Sequence, residues 1–153
     1  MKLVRILGLL VLVAGVAAVV FGAVFIAEGM MKNNLIVERM NVEKVSLALD
    51  PEKPNIYTAI NNSEDAQKAA DTIATHRRGI APTYQDLLGG KRFDSTNATH
   101  LMYAQAMNLE NYLYMAVTAF GLIQVAVASG VFMVIIGLTA AGAGFALYRL
   151  SRT

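Results

Sequence analysis

The chain has 153 residues, 56% of them hydrophobic and only 16% charged, with a formal net charge of +2 and no cysteine. So apolar a composition points to a bilayer rather than water, and the lack of cysteine excludes disulfide staples and thiolate chemistry. The basic balance is no nucleic-acid footprint, because the surplus is split between two short ends, Lys2 and Arg5 at one and Arg149 and Arg152 at the other.

Residues 1–5 form a short basic start. Residues 6–27 follow as 22 positions without a charge, enough for a transmembrane helix, which needs about 20. A secretory leader has a shorter apolar region of roughly 7–15 residues and a small-x-small cleavage site. Here the run closes on Phe25-Ile26-Ala27-Glu28, so an uncleaved anchor is expected. Within it Gly8, Gly15, Gly22 and Gly29 recur every seven residues, one slowly drifting stripe on a helix, with Ala14 and Ala18 beside it. Lipid gives helices no hydrophobic reason to pair, so small residues that let backbones approach are the usual packing device.

Residues 28–111 are the polar excursion. Met30 to Val37 prolongs the first helix beyond the membrane. Val45, Leu47 and Leu49 alternate with polar or small residues and predict a short strand over 44–49, and Pro51 and Pro54 then enforce a turn. The clearest helix runs from Ser63 to Arg78. Ser63 is its expected N-cap, Glu64 and Asp65 suit the positive end, and Arg77 and Arg78 suit the negative end before Gly79. Its narrow apolar face, Ala66, Ala69, Ala70 and Ile73, buries too little to stand alone. Pro82 at a first helical position and the Gly89-Gly90 stop frame one or two further turns.

From Asn97 a helix can start, capped by Thr96 or Asn97, and meets no Pro or charge cluster before Leu147. Residues 112–148 form the long second helix including the second span, and residues 149–153 the C-terminus. Counting about 20 residues back from Arg149 sets the outer boundary of that span near Ser129. Tyr112 to Gln124 then projects outward while still apolar, and such a surface calls for a partner: the excursion's own helices or a neighbouring subunit. At 100° per residue Ala126, Gly130, Gly137, Ala141 and Gly144 share one stripe. The expected helix-packing set is thus Gly8, Gly15, Ala18 and Gly22 against Ala126, Gly130, Gly137, Ala141 and Gly144.

All 11 Asp and Glu lie in the excursion with nine of the 13 Lys and Arg, leaving it at −2, while the ends carry only basic residues. Basic flanks stay on the cytoplasmic side. Both termini are therefore expected in the cytoplasm and residues 28–111 outside the plasma (inner) membrane.

Candidate chemistry is sparse. His76 and His100 are the only histidines and neither lies in a span, which removes a bis-His haem between the helices. His76, His100 and Glu110 would be the ligands of a facial iron triad, and Met102, Met107 and His100 those of copper. Their spacing supports neither, and Met and Tyr in this segment fit an interface or an adaptable packing surface. Gln124 is polar within an apolar run and marks a hydrogen bond to a neighbour or the headgroup region. Asn61-Asn62-Ser63 and Asn97-Ala98-Thr99 match the short glycosylation pattern. No ionisable pair lies within a span, which argues against an ion-coupled carrier.

The basic start, single span, Val-x-Leu strand and Ala-rich helix are followed by Thr83-Tyr84-Gln85-Asp86-Leu87-Leu88. The second span is entered through Asn108-Leu109-Glu110-Asn111 and Val117-Thr118-Ala119-Phe120-Gly121. This layout resembles a family of small two-span bacterial membrane proteins, mostly from actinobacteria and their relatives, some labelled aromatic ring-opening dioxygenase. The resemblance implies a membrane hairpin and brings no catalytic residues with it; the iron-ligand count lends that label nothing. The expectation is a mainly α chain: two transmembrane helices as a hairpin, with a small, mostly helical exported domain between them. Its role would be that of a non-enzymatic structural or accessory subunit without cofactor or metal. Its partners would be the bilayer and a homo- or hetero-oligomer formed through the spans and the outer part of the second helix. The alternative is a metal-binding or oxidoreductase-associated subunit using His76, His100 and nearby carboxylates.

Overall fold

A computed structural model describes residues 2–43 and 59–151. Four helices follow in order: α1 (Lys2–Val42), α2 (Ser63–Ile80), α3 (Tyr84–Leu88) and α4 (Ala98–Leu150). The chain is mainly α, with no strand among the described residues. The expected strand over 44–49 and the turn at 50–54 lie outside them.

With 41 and 53 residues, α1 and α4 are each long and apolar enough to cross a membrane, and only 11% of the apolar window of either is buried. A soluble protein's core helix of such hydropathy would be covered by its neighbours. Here Leu10, Val13, Phe21, Phe132, Ile135 and Leu138 all stand exposed.

The chain divides into two compact units. One takes in the sequence up to Asn33 and from Leu122 on; the other is Asn34–Gly121. In the first, α1 and α4 run antiparallel along a seam of glycines. In the second, α2 lays its alanine face, Ala66, Ala69 and Ala70, against Leu113, Ala116 and Phe120 of α4 and against Ile60. Ile36, Val37 and Met40 of α1 close this core from the side. Alanine bears no side chain beyond Cβ, so its face allows close approach but brings little apolar area. The large groups that fill the core are Phe120 and Leu113 of α4, with Ile60 just before α2, all almost wholly buried.

Several boundaries differ from the sequence reading. The N-cap of α2 is Asn62, whose side-chain oxygen accepts from the Asp65 N–H, and the helix runs on to Ile80. Gly79 is no stop because Ala81, half a turn later, takes the capping role with its N–H on the Arg77 carbonyl. Thr83 caps α3 and Pro82 precedes the cap; Gly89 ends the helix in the left-handed region at φ 53°, where a Cβ would be strained. Asn97 heads α4, its side-chain oxygen accepting from the N–H of Thr99 at 2.9 Å and of His100 at 3.3 Å.

Candidate functional site

In the first unit the local geometry is set by backbone meeting backbone. A Cβ built on Gly15 would lie 2.7 Å from the Gly137 carbonyl oxygen, and one on Gly137 would lie 2.7 Å from the Gly15 oxygen. Gly22 and Gly130 repeat this reciprocity at 2.6 and 2.7 Å, and Gly8 and Gly144 at 3.0 and 2.7 Å. Real Cβ atoms essentially never come under 3.0 Å, so no other residue fits these places unless the backbone moves. Each of these glycines turns its open side to the opposing carbonyl oxygen, a close approach that suits paired Cα–H···O contacts of about 0.5–1 kcal/mol each. Seven residues up α1 match seven down α4, a 3.5-residue period that wraps helices left-handedly.

Of the nine residues expected to pack, the structure brings together Gly8 with Gly144, Gly15 with Gly137 and Ala141, and Gly22 with Gly130. Ala18 and Ala126 are half-buried and are not among the atoms nearest the seam glycines. Gly29, on the same seven-residue stripe, is also buried; its Cβ would meet Val127 and the Ile123 carbonyl. The α4 partner of Gly29 is no glycine, so the pattern of α4 alone leaves this fourth contact unmarked. Val19, Ile26 and Val134 flank the glycines with branched side chains that a wider residue would strike, and opposite Gly144 the obstacle is the backbone of Leu12.

The second unit holds one concentration of buried polar chemistry. Arg77, in the last turn of α2, donates from Nε to Glu110 Oε2 at 2.6 Å and from Nη2 to Oε1 at 3.3 Å. Its Nη1 donates to the Tyr103 hydroxyl at 2.5 Å. Tyr103 is wholly buried, and the pair's side chains are 12% and 11% exposed. The hydrogen bond to Glu110 holds Arg77 above the ordinary arginine value, against the opposing pull of burial. Tyr84 packs on Tyr103 with ring centres 6.2 Å apart, and Tyr114 donates to Asp71 at 2.9 Å. These contacts set the register of α2 on α4, because an alanine face alone slides with little penalty. Sequence reading placed Arg77 as a charge for the helix end, Glu110 as a possible ligand and the Tyr-rich stretch at an interface. The missed signal is the spacing of Tyr103, Glu110, Leu113 and Phe120, one continuous face of α4.

The metal candidates do not gather. His76 is exposed on α2, Glu110 is engaged by Arg77, and His100 Nδ1 accepts the Asp94 N–H at 3.0 Å beside the Phe93 ring. Among the described residues no three His, Asp or Glu side chains form a metal-holding group. Met102 is exposed and Met107 half-buried, and Gln124 is exposed. Asn61 and Asn97 are exposed too, Asn97 being occupied as the cap of α4. No family model, curated protein or solved structure matches this chain.

Proposed function

We propose that this is a non-enzymatic integral membrane protein. A two-span hairpin with both termini in the cytoplasm would present the 28–111 segment outside the plasma membrane as a structural or accessory subunit. The observation that carries this reading is the pairing of a backbone-to-backbone glycine seam with almost fully exposed apolar faces on both long helices. In water those faces would be the largest liability of the molecule; in lipid they are solvated, and close packing at the seam is what holds two helices together. The non-catalytic reading is supported by how the polar groups are used: Arg77, Glu110 and Tyr103 bind one another, and Asp94, Asn97 and His100 cap and brace the start of α4. Membership in the two-span family that the layout resembles is part of the same proposal.

Orientation follows from Lys2, Arg5, Arg149 and Arg152. The chain has no cysteine, so single cysteines report cleanly. In intact cells Gln85→Cys is expected to react with an impermeant maleimide and Lys2→Cys to react only after lysis. Labelling of Lys2→Cys from outside refutes the orientation, and release of the chain from membranes by alkaline carbonate refutes the membrane reading itself.

A further inference from the structure

In the first unit, the end where α1 begins and α4 finishes is built differently from the seam. Arg5 donates from Nη2 to the Tyr148 hydroxyl at 3.4 Å, and its guanidinium carbon lies 5.4 Å from the Tyr148 ring centre. This ties the first turns of α1 to the last turns of α4. Beside it a groove of about 420 Å³ runs along Phe145, Ala146, Arg149 and Leu150. Three of those side chains are apolar and the fourth is a guanidinium with no ion-pair partner among the described residues. In sequence, the side-chain charge of the two ends is of one sign. Lys2, Arg5, Arg149 and Arg152 are the ionisable side chains of the two ends, and the nearest acids in sequence are Glu28 and Glu110.

An apolar trough bordered by a guanidinium that makes no ion pair among the described residues has the polarity of one kind of molecule, an amphiphile with an acidic head. We propose that this groove seats an anionic phospholipid, its phosphate on Arg149 and an acyl chain along Phe145 and Ala146. Arg149 is suited to the task, because a planar guanidinium binds phosphate oxygens in pairs. Lys2 and Arg5 add long-range attraction, whereas Arg5 itself is held against Tyr148. A zwitterionic lipid offers the same acyl chain but carries its own cation beside the phosphate, so the surrounding positive field selects lipids with a net negative head. The inference rests on the membrane reading and names a ligand for it.

The test uses the full chain reconstituted in vesicles of phosphatidylcholine with one-tenth phosphatidylglycerol, and native mass spectrometry of the lipids retained. Co-flotation of the chain with the vesicles checks the membrane reading separately. With flotation intact, phosphatidylglycerol is expected among retained lipids at several times its bulk share. Arg149→Gln should cut that enrichment roughly fivefold, the effect of one basic residue at an anionic surface, and Arg149→Lys should keep most of it. Ala146→Phe fills the trough while leaving every charge in place, and should remove the enrichment as well. Retention at the bulk share overturns the proposal. So does enrichment that Lys2→Gln lowers as much as Arg149→Gln while Ala146→Phe leaves it unchanged, for that is diffuse attraction to a basic end and not a groove.

Discussion

Replacing Gly15 by alanine adds a single methyl, and the structure says where it goes. The new Cβ would lie 2.7 Å from the Gly137 oxygen and 2.9 Å from the Ala141 Cα, and closer still to the Ala141 nitrogen. These are backbone atoms, so no rotamer change relieves the clash. Ordinary contact begins at 3.4 Å, so the helices must part by at least about 0.7 Å to clear the Gly137 oxygen, and by more to clear the Ala141 nitrogen. Overpacking of this kind costs about 1–3 kcal/mol, and the Cα–H···O contacts stretched with it lose a fraction of their ~0.5–1 kcal/mol each. Alanine's better helix propensity offsets up to ~1 kcal/mol, leaving a net loss of about 1–2 kcal/mol for Gly15→Ala or Gly137→Ala. Leucine at either place is worse. Gly142 is the internal control, because a Cβ there meets nothing within 4 Å, and Gly142→Ala should be neutral or stabilising. Val13→Leu and Val131→Leu, at positions 58% and 44% exposed, should also be near neutral. The assay is pyrene excimer emission from labels on Lys2→Cys and Ser151→Cys, followed as SDS is titrated into mild detergent. If Gly15→Ala and Gly137→Ala lose the excimer at the same SDS fraction as Gly142→Ala, the close approach of the helices is not what holds the hairpin.

Glu110→Gln leaves the Arg77 guanidinium half-partnered, and should cost towards the lower end of the 3–5 kcal/mol seen when a buried pair is broken; hydrogen exchange along α2 is the readout. Arg77→Met combined with Glu110→Leu and Tyr103→Phe should recover most of that loss, since packed apolar groups replace the desolvated ionic pair and no buried hydroxyl is left without its donor. Asp94 is held below the ordinary carboxylate value, chiefly by the Thr96 hydroxyl and then by the Thr96 N–H. A depressed folded value means that its contribution is complete above the unfolded value of about 3.9 and fades as pH falls through the folded one. Amide protection at 94–100, taken relative to the intrinsic exchange rate at each pH, should therefore fall as pH drops below about 4, and Asp94→Asn should flatten that dependence. A fragment of residues 31–107 lacks Leu113, Ala116 and Phe120 and should melt without a cooperative transition, because too little apolar area offsets the chain entropy. Extending it to residue 121 should restore one; equal melting of the two fragments would show that α2 does not depend on α4.

The two apolar helices were legible because each signal is local. An uncharged run longer than a bilayer is thick has one stable form, a helix that satisfies its own backbone. The seven-residue recurrence of Gly8, Gly15, Gly22 and Gly29 was likewise visible, because a repeat matching the helical period marks a face before any partner is known. Which glycine meets which was a matter of register between segments over a hundred residues apart, and only the packed pair supplies that. The polar cluster lay further out of reach. Arg77 at a helix end looks like dipole compensation, and Glu110 next to Asn108 and Asn111 looks like a solvated residue. Nothing local says that α2, with its shallow alanine face, approaches α4 closely enough for one guanidinium to reach both a carboxylate and the Tyr103 hydroxyl. The small capping errors have the same origin on a smaller scale. Asn62 and Ser63 are both competent caps, and the choice between them fell to where Ser63 could place its hydroxyl, 3.4 Å from the Val117 carbonyl on α4.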